Sequence, residues 1–208
     1  MNLNIEPFTK IDEADKKLTV VTKYFDCDTT IDILNQVQDM KIFYSLGENR
    51  VDKIKEKNIP REFVSFIGNI QSRRISEIVE FCSIIQTVTS LKHLLKISEE
   101  VKKQGFENID VFIQVNISND KTSGIETQDF DNFYKEAQKQ ENVNIVGISA
   151  IGSGTFTENE KKQEFEKLIE IKKKYPKLLI SAGTSRDYEI ALEYDIDILR
   201  LGSILYEE

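Results

Sequence analysis

Short apolar runs alternate with amphipathic stretches along the whole 208-residue chain. Runs such as Val111–Val115 are almost continuously apolar, which is typical of a parallel sheet covered on both faces. Each run precedes a stretch with helical periodicity. The eight predicted strands are Leu18–Thr22, Lys41–Ser45, Phe63–Ile67, Ser83–Thr87, Asp110–Ile117, Asn144–Ile151, Leu178–Ser181 and Ile196–Leu201. The predicted helices include Ile31–Met40, Ile75–Phe81, Leu91–Lys103, Phe130–Gln140, Lys161–Lys174 and Tyr188–Tyr194.

This alternation predicts an α/β protein that forms a closed (β/α)8 barrel. Dividing 208 residues by eight leaves about 26 for each strand and its helix, which is compact for such a barrel. No linker marks a boundary, so residues 1–208 are predicted to form a single domain. The alternative is an open doubly wound sheet, but no G-x-G-x-x-G turn follows the first strand. Ile5, Phe8 and Ile11 recur at helical spacing, and we expect this segment to close the far end of the barrel.

The charge balance limits the partners of the chain. A net charge of −8 argues against a nucleic-acid partner, which requires a basic surface. The basic run Lys172–Lys174, with Lys161 and Lys162 upstream, is predicted to be the solvated face of a helix. Apolar runs are too short to cross a bilayer, so no membrane partner is expected.

The rare residue types exclude further kinds of site. Cys27 and Cys82 are far apart and lack metal-ligand spacing, and His93 is the sole histidine. A catalytic triad or a histidine-based metal site is therefore not expected. Since the N-terminus lacks a signal-peptide pattern and both cysteines are interpreted as reduced, we expect a cytoplasmic protein.

One lysine follows the first predicted strand, at the point where α/β proteins place their ligands. Lys23 comes directly after Leu18–Thr22 and before Tyr24 and Phe25. A partly desolvated amine in this position can form a Schiff base with an aldehyde. The alternative is a solvated lysine leaving the sheet, the commoner outcome for an isolated lysine.

The loop after the seventh predicted strand is suited to an anion. Gly183 allows close approach of the backbone, Thr184 and Ser185 supply hydroxyls, and the next helix supplies free N–H groups at its N-terminus. Thr184 or Ser185 could equally be a helix cap, because Thr184-x-x-Asp187 fits a capping box.

The loop after the eighth predicted strand has similar chemistry. Gly202 permits close approach, and Ser203 offers both an amide and a hydroxyl. Barrels of this kind often bind phosphate with these two loops. A phosphate site near a strand-end lysine suggests pyridoxal 5′-phosphate (PLP) as the cofactor.

Other polar residues have more than one interpretation. Glu48 and Arg50 could form an exposed ion pair on the helix after the second strand, which leaves Asn49 as the stronger site candidate. Gln114 and Asn116 alternate along the fifth strand, so both are expected to point into a polar network inside the barrel.

Six motifs, in this order and spacing, resemble those of a known family. They are Val20–Lys23, Leu46–Val51, Phe66–Ser72, Ile113–Ser118, Ser181–Asp187 and Leu199–Tyr206. From about Leu18 to Tyr206 the chain resembles the YggS/PROSC family of pyridoxal phosphate homeostasis proteins. The resemblance implies a monomeric or weakly associating TIM-type barrel, similar to the fold-type III N-terminal domain of alanine racemase.

The resemblance also implies roles for individual residues. Lys23 matches the lysine that holds PLP as an internal aldimine, and Ser185 matches a phosphate ligand. Gly202 and Ser203 match residues whose amides hold the phosphate.

Two further residues match positions around the cofactor ring. Arg200 matches an arginine that faces the pyridine nitrogen, and Asn49 matches an asparagine beside the cofactor. The chain departs from the family pattern around the outer pocket. These departures are Ser65, Arg73, Arg74, Thr122 with a lysine displaced to Lys121, Ser149 and Thr184.

The resemblance implies binding, buffering or delivery of PLP, with PLP-dependent apoenzymes as partners, and not catalysis. Racemisation requires acid/base groups on both faces of the substrate, and Lys23 serves only one. The tyrosine that a second domain supplies in alanine racemase is not expected in a chain that ends at Glu208. Arg200 can only donate, so a ring nitrogen accepting from it is a poorer electron sink. The alternatives are a small amino-acid racemase and a cofactor-free Schiff-base lyase or aldolase acting on a phosphosugar.

Overall fold

The computed structural model describes residues 2–118, 124–154 and 157–206. Within these ranges, eight strands pair in parallel and close into a barrel, and a further short strand lies outside it. In chain order the strands are β1 (Lys17–Val21), β2 (Phe43–Glu48), β3 (Val64–Phe66), β4 (Ile84–Val88), β5 (Ile109–Asn116), β6 (Ile125–Glu126), β7 (Val143–Ser149), β8 (Leu179–Ser181) and β9 (Ile198–Leu201). β6 pairs only with β5, while β9 pairs with β1 and closes the ring. The predicted barrel is confirmed.

The helices cover the outside of the barrel. Those in the described ranges are α1 (Ile5–Glu13), α2 (Cys27–Val37), α3 (Val51–Lys57), α4 (Ile75–Phe81), α5 (Leu91–Lys103), α6 (Phe130–Ala137), α7 (Glu158–Lys174) and α8 (Tyr188–Leu192). α4 and α5 have the predicted bounds. α2 begins earlier than predicted because the Asp26 carboxylate accepts a hydrogen bond from the Thr29 amide at 2.9 Å and caps the helix. None of the helices in these ranges is long and apolar enough to cross a membrane.

Apolar side chains from the helices pack against the strands in one continuous core. On α5, Leu94, Ile97 and Val101 are fully buried, at the spacing of one helical face. On the barrel side they meet residues such as Val111 and Ile113 of β5, also fully buried. The core fixes the strand ends, and therefore the residues that follow them.

The N-terminal helix forms as predicted, but it does not close the far end of the barrel. The Asn4 amide bonds the carbonyl of Leu205, beyond the C-terminal end of β9, at 2.9 Å, whereas the end of α1 leads into the start of β1. α1 therefore runs along the outer wall beside α8, to which a salt bridge joins it. Phe8 and Ile11 pack inward, and Ile5 is 61% exposed.

The barrel interior contains a layer of hydrogen-bonded polar side chains. Gln86 of β4 is its centre: its amide donates to Thr19 and Ser65 at 3.2 Å each, and its side-chain oxygen accepts from Ser181 at 2.7 Å. Ser65 also donates to Ser45 at 2.7 Å. Such interiors are usually filled by branched apolar residues. The polar layer therefore marks the end of the barrel at which a polar site is built.

Candidate functional site

A pocket of about 520 Å³ opens at the C-terminal ends of the strands. In the described structure, all the predicted cofactor-binding residues except Gly183 line it: Lys23, Asn49, Thr184, Ser185, Arg200, Gly202 and Ser203. Gly183 has φ +84°, and a Cβ there would lie 2.7 Å from a methyl group of Leu199. Its role is therefore to let the loop after β8 turn tightly against β9.

Lys23 reaches the pocket from the end of β1. The preceding amide, of Thr22, bonds the Gly47 carbonyl at 3.2 Å and continues the pairing with β2. The Lys23 side chain is half-buried, with Nζ 4.8 Å from the centre of the Tyr24 ring. It forms no salt bridge with any residue of the described ranges. The amine is thus free to react with a ligand in the pocket.

A buried ion pair lies beneath the end of β1. Lys57 Nζ donates to Glu48 Oε1 at 2.6 Å and to the Thr22 carbonyl at 2.8 Å, and the Thr22 hydroxyl donates to the same Glu48 oxygen at 2.6 Å. Glu48 is fully buried and Lys57 is 2% exposed. The predicted exposed pair between Glu48 and Arg50 is therefore wrong, because Glu48 ends β2 and points to α3. The buried pair ties together the strand ends that carry Lys23 and Asn49.

A second buried cluster lies beneath the loop after β8. Lys161 Nζ contacts Glu164 Oε2 at 2.6 Å and Asp187 Oδ2 at 3.1 Å. Asp187 Oδ1 accepts hydrogen bonds from the Thr184 amide at 2.6 Å and its hydroxyl at 2.9 Å. Glu164 accepts the Ser153 amide at 3.1 Å. Neither Thr184 nor Ser185 is the predicted helix cap, because the N-cap of α8 is Asp187 and the Thr184 hydroxyl donates to it. The loops after β7 and β8 are joined through α7.

The predicted solvated lysine face of α7 is wrong in part. Lys161 is fully buried, because it pairs with Glu164 of its own helix and with Asp187 of the loop after β8. Lys172 is 14% exposed and bonds Asp197 at 2.7 Å. Burial lowers the pKa of Lys172, but hydrogen bonds to Asp197 and Asp195 outweigh this effect and raise it. Only Lys173 and Lys174, 67% and 58% exposed, fit the prediction well.

The loops after β8 and β9 present hydrogen-bond donors to the pocket. The backbone amides of Ser185, Arg186 and Ser203 donate to no residue in the described parts of the chain. The Gly202 amide donates to Ser185 Oγ at 3.3 Å. No Asp or Glu among the described residues lines the pocket. Converging N–H groups without competing carboxylates can bind an anion.

Arg200 supplies a buried positive charge at the pocket wall. Nη1 donates to the carbonyl and hydroxyl of Ser181, at 2.7 and 3.1 Å, and Nη2 donates to the Ala150 carbonyl at 2.5 Å. These three bonds leave two of the five N–H donors for a ligand. Burial lowers the pKa of the guanidinium to about 10, although Asp187 opposes the shift, so it stays protonated at neutral pH.

The remaining predictions fall on different parts of the site. Gln114 is buried and lines the pocket, whereas Asn116 donates to Glu126 of β6 at 3.0 Å, outside the barrel. Ser65 and Ser149 belong to the polar layer, where Ser149 donates to the backbone of Gln86.

Arg74, another of the departures, lies away from this layer. Arg74 forms salt bridges with Asp52 and Glu77 on the outside of the barrel. Thr122 and Lys121 lie outside the described residues.

The residue that supports the backbone next to Lys23, Lys57, was not predicted from the sequence. Lys57 lies three residues after the buried Ile54, which itself lies three after the buried Val51. A lysine on the apolar stripe of a helix is a signal of a buried charge. The position of Lys57 on this stripe predicts a buried partner of opposite charge, which in the structure is Glu48.

The closed barrel has, at one end, a lysine after its first strand and a pocket lined by backbone amides without partners in the described structure, which are the features of a barrel that binds a ligand at its strand ends. Within this class of barrels, the chain belongs to the family of the alanine racemase N-terminal domain, whose family model matches residues 10–208. The predicted resemblance is also confirmed. The pyridoxal phosphate homeostasis protein of Helicobacter pylori is 27% identical over 176 residues, which cover 79% of this chain and 77% of that protein.

Solved structures with low sequence identity show the same fold. PipY of Synechococcus elongatus, determined with PLP bound, superposes with a TM-score of 0.79 at 19% identity and covers 97% of this chain and 99% of its own. Alanine racemase of Clostridium difficile gives a TM-score of 0.74 at 16% identity, over 97% of this chain and 54% of that enzyme.

Proposed function

We propose that this chain binds PLP covalently through Lys23 and serves PLP homeostasis by binding, buffering or delivering the cofactor. The observation that carries the proposal is a single pocket lined both by the amine of Lys23 and by backbone amides that have no partner in the described structure. The name of the Helicobacter pylori relative and the PLP bound to PipY support it.

The residues present fit the cofactor. Its aldehyde is an electrophile with which a lysine amine condenses, with loss of water. On the amine side of the pocket, defined by Lys23 and Asn49, the free lysine meets this requirement. On the phosphate side, defined by Ser185, Gly202 and Ser203, backbone amides and hydroxyls hold a dianion without a competing carboxylate.

Arg200 sets the electronic character of the site. Arg200 lines the pocket and is protonated at neutral pH, so it can donate hydrogen bonds to a ligand but cannot accept one. A ring nitrogen bonded to Arg200 therefore stays unprotonated, which disfavours carbanion chemistry. The Ser181 and Ala150 contacts hold the guanidinium in this role.

We infer that the chain is a carrier and not an amino-acid racemase. The titratable pocket-lining side chains in the described ranges are Lys23, Tyr24, Arg186 and Arg200. Tyr24 is 71% exposed, whereas racemisation needs a second acid/base group held in position on the opposite face of the substrate. Efficient racemisation of any amino acid by the wild-type protein would contradict this inference.

The further parts of the proposal follow from the same role. We propose that residues 1–208 act as one domain, that the protein is a monomer in the cytoplasm, and that PLP-dependent apoenzymes receive the cofactor. A carrier of this kind must leave the mouth of its pocket accessible, and the Tyr24 and Ile151 side chains at this mouth are 71% and 47% exposed.

A titration with two ligands tests the function. PLP and pyridoxal, which lacks the phosphate, are added to the wild-type protein and to Ser185→Ala. We expect PLP to bind much more tightly than pyridoxal, and the substitution to cost PLP about 1.5–3 kcal/mol, as for a hydrogen bond to a charged group. The substitution should leave the affinity for pyridoxal nearly unchanged.

Two outcomes would contradict the proposal. Equal losses for both ligands would mean that Ser185 is only a structural residue. A protein that stays colourless with PLP but reacts with a phosphosugar would instead be a cofactor-free lyase.

A further inference from the structure

A second cavity, of about 250 Å³, lies beside the cofactor pocket and shares Asn49 and Asn69 with its wall. These residues follow β2 and β3, so both cavities open at the C-terminal ends of the strands. Val51, Phe66 and Ile78 line the second cavity and are each at most 5% exposed. Apolar surroundings lower the local dielectric constant and strengthen the interactions of any charge nearby.

Three guanidinium groups line this second cavity. Arg74 is oriented by Asp52 and by Glu77, whose carboxylate lies 3.1 Å from Arg74 Nε. Arg50 and Arg73 are exposed and form no salt bridge with any described residue. The charged residues that line this cavity in the described structure are Arg50, Asp52, Arg73 and Arg74, so three positive charges face one negative charge in a chain whose net charge is −8.

We propose that this cavity is an anion site for a ligand with clustered carboxylate or phosphate groups, bound by Arg50 and Arg73. The planar guanidinium fork matches both kinds of group and binds them in a bidentate manner. Arg74, fixed by its two carboxylates, orients the ligand. The shared wall at Asn49 places the ligand next to the cofactor pocket. This site goes beyond the proposed function and does not depend on it.

Calorimetric titration at low ionic strength tests the site, with two probes that represent the two sources of such an anion. Inorganic pyrophosphate stands for a small phosphate ligand, and a hexaglutamate peptide for an acidic protein segment. The proteins are wild type, Arg50→Gln/Arg73→Gln and the control Lys102→Gln/Lys103→Gln, each loaded with PLP. The control makes the same charge change at the C-terminal end of α5, which leads into the start of β5 and therefore lies at the other end of the barrel from the cavity.

We expect at least one probe to bind the wild type and the control equally, and the arginine variant at least tenfold more weakly. The tighter probe identifies the source. Equal affinity for all three proteins, or no binding of either probe to the wild type, would overturn the proposal. The proposal would also be overturned if Ser185→Ala abolished binding of the probe and the arginine variant did not, because the anion would then lie in the cofactor pocket. A protein that takes up no PLP but binds a probe through the arginines would overturn only the proposed function.

Discussion

On the amine side of the pocket, one buried lysine binds one carboxylate; beneath the phosphate side, one buried lysine binds two. Lys57 pairs with Glu48 and also donates to a strand carbonyl. Lys161 pairs with Glu164 and Asp187, which in turn hold two loops. The first cluster has one carboxylate for its lysine, and the second has two, of which Asp187 also interacts electrostatically with Arg200.

The two clusters stabilise different kinds of structure. β1 and β2 are already fixed by backbone pairing, so the Lys57 cluster only adjusts how their ends meet. The loops after β7 and β8 continue such pairing at their first residues, where the Ala150 amide bonds Ser181 and the Gly183 carbonyl accepts from Arg200. Beyond these residues, side chains from α7 hold the described parts of both loops. The loops on the phosphate side therefore depend more on the Lys161 cluster for their structure than the strand ends on the amine side depend on the Lys57 cluster.

Replacing the phosphate-side lysine should have the largest effect. Lys161→Met would leave two buried carboxylates without their lysine, at a cost of about 5 kcal/mol in the free energy of unfolding, the upper end for a broken buried pair. Urea denaturation measures this. The control Lys162→Met, a third exposed on the same helix, should cost less than about 1 kcal/mol. Equal losses for both variants would show that the cluster does not support the loops.

Replacing the amine-side lysine should cost less. Lys57→Met leaves one buried carboxylate, so we expect a loss of about 3 kcal/mol by the same measurement. The double variant Glu48→Gln/Lys57→Met removes the uncompensated charge and should recover part of that loss. Lys53→Met, exposed on the same helix, is the control. A larger loss for Lys57→Met than for Lys161→Met would reverse the comparison.

The sequence predicted the barrel well because apolar alternation is a local signal. It failed where a residue's surroundings come from distant elements. Lys161 looked solvated because it stands in a lysine-rich helix, and only Asp187, after another strand, explains its burial. Glu48 looked exposed for the same reason, since Lys57 lies on the next helix. The site residues after β1, β8 and β9 were predictable because chemistry at strand ends has a fixed place in a barrel.

Two substitutions that each remove one hydroxyl test whether the two clusters affect different parts of the ligand. Thr22→Val and Thr184→Val each remove a hydroxyl that donates to a cluster carboxylate, at 2.6 and 2.9 Å. We expect each to weaken PLP binding by about 1 kcal/mol. Thr22→Val should weaken the binding of pyridoxal equally, because it acts on the amine side of the pocket. Thr184→Val should leave pyridoxal unchanged, and an equal loss of both ligands in that variant would contradict the separation of the two sides.

The central claim is that Lys23 is the residue that holds the cofactor. The direct measurement is borohydride reduction of the PLP-loaded protein, followed by mass spectrometry of its peptides, with Lys23→Ala and the exposed Lys41→Ala in parallel. We predict that the reduced cofactor is found on Lys23 in the wild type and in Lys41→Ala, and that Lys23→Ala stays folded but loses both the label and the visible absorbance. A label on another lysine, or unchanged absorbance in Lys23→Ala, would contradict the account.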